Sequence, residues 1–538
     1  MEDWREVSAR KKKSNLEKIP NEWRLSADIR AKYSDSANVL DVPKTSGVLS
    51  SKEVEITEAY DASGLLERIA AGELSSYDVA VAFCKRAAIA HQLVNCLTEI
   101  FFDQALERAK ELDEYYEKNK KTIGPLHGLP ISLKDSFNIK GVQSTVAYVS
   151  FASHPPQESN SVLVDLLLSQ GAVVYVKTNI PQTMMTADSD NPLFGRTLNP
   201  LNLSLTAGGS TGGEGALIAL RGSLMGAGTD IAGSLRIPAL CNGIYGFKPT
   251  SSRVPFSGKT PPGRLGSPSP IIASIGPEAH SIRDLELFMS TVIRAEPWDM
   301  DETCLTVPWR SVTIHGPLRI GLILEDPKRP LHPNMLRTMK TALTRLKSKG
   351  HSIIDITTLP TSLWTLSLNT WKFFRLDPQK TPLKHIAASS EPWVPSIAAT
   401  MQPEFAHFSP DLDALFEMNV ERKKVVKEFH DLMREYRLDT IMMPPYQTTA
   451  VPHDTYGFPV YTALANYLDW PAGVLPFGKA EMGREREEGF VREGVVYEPE
   501  YLPEKVEGMP TGLQFLARPM RDEELLKIMA IVEDDIRD

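Results

Sequence analysis

The stretch Leu205-Thr-Ala-Gly-Gly-Ser-Thr-Gly-Gly-Glu-Gly215, followed by Gly228-Thr-Asp-Ile-Ala-Gly-Ser-Leu-Arg-Ile-Pro238 and Gly246-Phe-Lys-Pro-Thr250, decides how the rest of the chain is read. Glycine serves where a backbone needs positive φ or close approach. Gly208, Gly209, Gly212, Gly213 and Gly215 surround one hydroxyl, Ser210, while Gly228 and Gly233 bracket a turn into Ser234. Such turns aim successive N–H groups into one concavity that suits an anion. A serine at the end of that nest has donors beside it for an oxyanion. Taken alone, glycine-rich serine loops are also tight turns or phosphate cradles. The phosphate patterns do not fit: no Lys-Ser or Lys-Thr follows at P-loop spacing, and no Gly-x-Gly-x-x-Gly opens a helix. Gly-x-Ser-x-Gly is absent around Ser234, which argues against a hydrolase elbow.

Working outward, the pattern continues through Cys241, Gly243 and Lys248, and upstream stands Gly124-Pro-Leu-His-Gly-Leu-Pro-Ile-Ser-Leu-Lys-Asp135. Together, in this order, the three segments resemble the amidase signature family, and the resemblance covers roughly residues 60 to 530. Asn191-Pro-Leu-Phe-Gly195 and Tyr461-Thr-Ala-Leu-Ala-Asn-Tyr-Leu-Asp-Trp-Pro-Ala-Gly-Val474 are most similar to its fungal acetamidase-type branch and to fatty acid amide hydrolase. The family's α/β fold is implied: a large twisted mixed sheet covered by helices on both faces.

The resemblance implies the chemistry as well. Amide hydrolysis needs a nucleophile, a base that later acts as acid, and oxyanion donors. Ser234 takes the nucleophile's place, Ser210 that of a relay serine on a cis peptide, and Lys134 that of the base. A buried lysine can lose several pKa units and so present a neutral amine. The amides of Ile231, Ala232, Gly233 and Ser234 are expected to form the oxyanion hole. Thr229, Asp230 and Arg236 are read as structural support for the nucleophile loop, with Asp230 and Arg236 as an ion pair. Met184 and Met185, together with Ser210, are expected at the substrate, though methionines there also serve as core filler. His127 invites a Ser-His-Asp reading, but no convergent aspartate can be named, and a turn histidine is expected. Two positions depart from the family pattern: Thr211 replaces the second serine of the loop, and Ala232 replaces a glycine, which would be costly if that position required a left-handed backbone.

The expected function is therefore cleavage of a carboxylic, primary amide to acid and ammonia through an acyl-enzyme. An acyltransferase or amide-forming enzyme using the same residues is the alternative. A glutamine amidotransferase subunit and a dead scaffold fit less well. No cofactor and no metal are expected, and the partner is a small-molecule amide; a homodimer is compatible with the resemblance. The acyl group is left open.

Composition agrees. A hydrophobic content of 42% is ample for a large core in 538 residues, and a formal charge of −9 gives no footing for nucleic acid. Four cysteines without a Cys-x-x-Cys pair suggest reduced thiols. The N-terminus lacks an apolar signal region, and no run reaches the ~18 apolar residues of a membrane span, so a cytoplasmic location is expected. The run Arg10 to Lys13 reads as a solvated helix face.

Helix-then-strand alternation recurs along the chain, which argues for a parallel or mixed sheet. Ser75 and Ser281 have N-cap spacing to Asp78 and Asp284. Residues 1–56 are expected as an N-terminal helical arm and 57–538 as the amidase signature domain. Within it, 360–410 should form loops and short helices over the pocket mouth, and 478–508 a charged surface insertion.

Overall fold

The computed structural model describes residues 2–33, 36–398 and 400–537. Its strands in chain order are β1 (Leu97–Ile100), β2 (Pro130–Lys134), β3 (Val173–Thr178), β4 (Leu198–Asn199), β5 (Asn202–Thr206), β6 (Met225–Asp230), β7 (Tyr245–Lys248), β8 (Ser274–Ala279), β9 (Arg319–Leu322), β10 (Ser352–Asp355), β11 (Thr440–Met443), β12 (Ala472–Lys479) and β13 (Pro510–Leu516). Among the described residues, β4 and β5 make a small ribbon. The other eleven form one sheet in the order β1-β3-β2-β6-β8-β7-β12-β13-β11-β9-β10. Pairings within β3-β2-β6 and β11-β9-β10 are parallel. The remaining pairings are antiparallel. The sheet is mixed, as expected.

Helices cover both faces. On β3, Val173 and Tyr175 join one apolar cluster while Val174 joins another, so the strand is buried from both sides. On the paired β12 and β13, a Cβ added at Gly473 would press on Met529 of helix Asp522–Ile536. One added at Gly512 would meet Leu240 of helix Arg236–Asn242. The caps form as spaced: Ser75 Oγ accepts from the Asp78 amide at 3.0 Å and Ser281 Oγ from that of Asp284 at 3.2 Å.

The N-terminal residues pack through specific bonds. Helix Trp4–Glu17 buries Ser8 and Asn15, whose side chains donate to the carbonyls of Leu193 (2.9 Å) and Thr98 (2.7 Å). The expected boundary at 56/57 falls inside helix Ser51–Glu58. The basic run is not uniformly solvated. Lys11 pairs with Glu99 and donates to Gln143 Oε1 at 2.7 Å, because the Glu99 carboxylate is almost fully buried and needs a cation. Residues 480–509 leave the sheet between the paired Lys479 and Pro510, and Arg492 within them pairs with Glu325 at 2.8 Å. Residues 360–410 hold helices Leu363–Phe374, Thr381–Ala387 and Pro395–Ala398; residue 399 lies outside the described residues.

Parallel pairing places the site. Ser132 of β2 registers with Gly226 of β6, so Lys134 and Thr229 emerge at the same carboxyl end of two neighbouring strands, where α/β sheets open their crevices.

Candidate active site

Lys134 ends β2 with no solvent exposure. Its Nζ contacts three hydroxyls: Ser210 Oγ at 2.8 Å, Thr211 Oγ1 at 2.9 Å and Thr229 Oγ1 at 2.9 Å. Asp135 beside it is not its partner, since that carboxylate accepts from Thr98 Oγ1 (2.7 Å) and the Val146 amide (2.8 Å). Burial strips water from the ammonium and pushes its pKa down, the charges of Glu278, Asp230 and Glu214 push back, and the balance falls at about 7. Two of those carboxyls are themselves driven toward the neutral form by burial. Glu214, taking hydrogen bonds from Ser132 and Thr178, rises to about 7, and Glu278 rises well above the carboxylate range. Neither Glu278 oxygen has a hydrogen-bond partner among the described residues. A lysine surrounded by hydroxyls, with two of its three nearby acids pushed toward the neutral form, is not locked in its charged form.

The glycine loop holds Ser210 against this amine. The Gly209–Ser210 peptide is cis, as the resemblance implied. Gly209 leaves no room for a side chain: a Cβ there would overlap the Thr186 carbonyl. Thr211 supplies the hydroxyl that its replaced serine would have offered, accepting from Lys134.

The second loop leaves β6 at Asp230 and turns at Gly233, whose φ of 128° no other residue adopts easily. Ala232 keeps negative φ, so its substitution for glycine brings no strain. The Asp230 carboxylate accepts from the amides of Gly233 (2.8 Å) and Leu235 (3.2 Å) and from Arg236 Nε and Nη2, both at 3.0 Å. Arg236 continues to Thr462 O (2.8 Å), Gln514 Oε1 (2.7 Å) and Asn466 Oδ1 (2.7 Å). Burial alone would raise the Asp230 pKa, but the Arg236 charge and hydrogen bonds outweigh it and bring it to about 2. Of the four amides expected to face an oxyanion, that of Gly233 is thus committed to Asp230. Those of Ile231, Ala232 and Ser234 have no protein acceptor among the described residues.

Ser210, Thr229, Ile231, Ser234, Met184 and Met185 line one cavity of about 540 Å³. Ser234 is half-buried there. A small adjoining pocket touches Trp371 and Thr400, so part of 360–410 does reach the site. His127 stands apart, in the turn before β2. Its Nδ1 accepts from the Ile123 amide at 3.1 Å and its ring lies beside Tyr115 and Tyr116. Among the described residues no cluster of histidines, cysteines or carboxylates is arranged to hold a metal, and the four cysteines are unpaired.

Sequence reasoning missed several participants. Thr229, read as support, touches Lys134 itself. Thr462 and Asn466, which fasten the Ser234 loop, sit within the 461–474 stretch without any local sign of that role. Glu278 follows a Gly-Pro pair in a strand and gives no signal at all.

The family model described as Amidase matches residues 78–526. The chain is 41% identical to an amidase of Gibberella moniliformis, over 99% of both chains. It is 36% identical to an acetamidase of Emericella nidulans, over 98% of this chain and 97% of that one. Its structure is similar to that of a fatty acid amide hydrolase, with TM-score 0.90 and 32% identity, covering 99% of this chain and 95% of the other.

Proposed function

Because the chain belongs to the amidase family and is an amidase, we propose that it cleaves primary carboxylic amides to acid and ammonia through an acyl-enzyme on Ser234. The observation that carries this reading is Lys134: a buried amine with a pKa near neutrality, 2.8 Å from Ser210, at the wall of a cavity that also contains Ser234. Neutral Lys134 takes the proton of Ser210, Ser210 takes that of Ser234, and the Ser234 oxygen attacks the amide carbon. The developing oxyanion is held by the amides of Ile231, Ala232 and Ser234, while the amide of Gly233 keeps the loop in shape through Asp230. The proton returns through Ser210 to the nitrogen, ammonia departs, and a water repeats the sequence on the ester. Acetamide is one candidate substrate, since a relative carries the name acetamidase.

The test is ammonia release from a panel of primary amides by the wild type and Ser234→Ala. The variant should be folded and inactive, and a serine-directed fluorophosphonate should mark Ser234 in the wild type alone. Turnover near wild type in Ser234→Ala would remove the assignment.

A further inference from the structure

The cavity is also walled by the loop after β7, which brings Phe256, Lys259 and Arg264 to it. That loop is pinned on either side of Lys259. The Ser257 amide donates to Asp301 Oδ2 (2.7 Å), the Thr260 amide to Ser136 O (3.0 Å) and Thr260 Oγ1 to Asn138 Oδ1 (2.7 Å). Lys259 Nζ lies over the Phe256 ring, 3.0 Å from its centroid, and 5.8 Å from that of Phe137. Among the described residues its ammonium nitrogen meets these rings and has no side-chain hydrogen bond or ion pair, Asp301 acting on it only from a distance. The other cations here are spoken for: Lys134 by three hydroxyls, and Arg264 by Asp377 at 3.6 Å.

A charged lysine head facing a cavity walled largely by Phe256, Met184, Met185 and prolines is costly until an anion meets it, so without one Lys259 is held toward the neutral amine. An aromatic face can hold an ammonium in place but cannot neutralise it. We propose that Lys259 is a substrate subsite for a carboxylate at the far end of the acyl chain, so that the preferred substrates are monoamides of dicarboxylic acids. The inference rests on the primary-amide reading above, because ammonia as leaving group obliges the charged group to lie on the acyl side. Burial, and then the charge of Lys134, depress the Lys259 pKa strongly, with Asp301 offsetting only part. An arriving carboxylate restores the charged form.

The experiment compares kcat/KM for succinamic, glutaramic and adipamic acids with that for neutral primary amides of matched length, in the wild type, Lys259→Met and Lys259→Arg. The wild type should favour one carboxylated amide by about tenfold to a hundredfold, the scale of a hydrogen-bonded charge pair. Lys259→Met should lose that preference, its kcat/KM falling far more for the carboxylated amide than for the neutral one, and Lys259→Arg should keep part of it. A wild type that favours the neutral amides, or a Lys259→Met that slows both classes equally, overturns the proposal and leaves the amidase reading standing. Calorimetric titration of glutarate into the wild type and Lys259→Met provides an arm independent of turnover. Binding lost in the variant, with no amide hydrolysed by either protein, would retain the subsite and reject the primary-amide reading. Equal binding by both would reject the subsite.

Discussion

At the scale of single residues, the proposed mechanism turns on the protonation of Lys134. As a base the amine must be neutral to accept a proton, and its pKa of about 7 lies far below the ordinary lysine value of 10.5. The rate kcat/KM should therefore rise with pH along an acidic limb and level off above about pH 7. Lys134→Met should remove the limb and cost about a thousandfold or more, the scale of losing one member of a hydrolytic triad. A limb that survives with the rate barely reduced would show that Lys134 is not the base. A finer test uses Thr229. Its hydroxyl accepts from Lys134 at 2.9 Å and so favours the charged amine. Thr229→Val should lower the Lys134 pKa further and move the limb toward acid, whereas a packing role alone would leave the limb where it is. That Lys134, Ser210 and Ser234 come together was legible because each stands in a motif. The hydroxyl shell was only half legible: Thr211 could be anticipated from a serine it replaces, but the direct bond from Thr229 depends on how β2 and β6 register, which no local pattern encodes.

At the scale of elements, the Ser234 loop is a short turn held by one buried ion pair. Asp230 and Arg236 are both fully buried, and together they reach Gly233, Leu235, Thr462, Asn466 and Gln514. Breaking such a pair from one side leaves an uncompensated charge. Asp230→Asn should cost about 3–5 kcal/mol in urea unfolding. The pH dependence has a definite sign. The folded-state pKa of Asp230 is lowered to about 2 from the ordinary aspartate value of 3.8. Its contribution is present above the unfolded value and lost as pH falls from about 4 toward about 2. The deficit of Asp230→Asn relative to wild type should shrink across that window, and a deficit independent of pH would show that the carboxylate's charge is not what holds the loop. Gly233→Ala should damage activity more than stability, since φ of 128° and the crowding of Thr462 Oγ1 leave no room to keep the turn. Elements were more legible than loops. Capped helices such as Ile282–Arg294 and apolar strands such as β3 carry local signals in caps and β-branched runs. Strand order is set by pairings between residues hundreds of positions apart, as where Ala472 meets Lys248, and periodicity is silent about them.

At the scale of the whole molecule, the N-terminal residues are tied to the strands beside the site. Asn15 reaches the carbonyl of Thr98 on β1, and the Thr98 hydroxyl donates to Asp135, which follows Lys134 directly. Sequence reading saw charges in this segment and expected a surface arm, because the acid that recruits them, Glu99, lies some eighty positions away. The Glu99 side chain is 3% exposed and its cations are Lys11, 15% exposed, and Lys18, 42% exposed at 3.4 Å. Lys11→Met removes the better-buried partner and leaves a carboxylate inside the protein with only the more exposed Lys18, a loss of about 1–3 kcal/mol by the cost of an under-satisfied buried charge. Replacing Glu99 as well, by Gln, removes the charge that needed Lys11, so the double variant should recover much of that loss. Urea unfolding of the wild type, Lys11→Met, Glu99→Gln and the double variant closes a cycle whose coupling energy measures the contact. Because Lys11 does not touch the cavity, kcat/KM of folded Lys11→Met should match the wild type. A coupling near zero would mean that the arm is held by Ser8, Asn15 and its apolar residues, with the ion pair contributing nothing to its attachment.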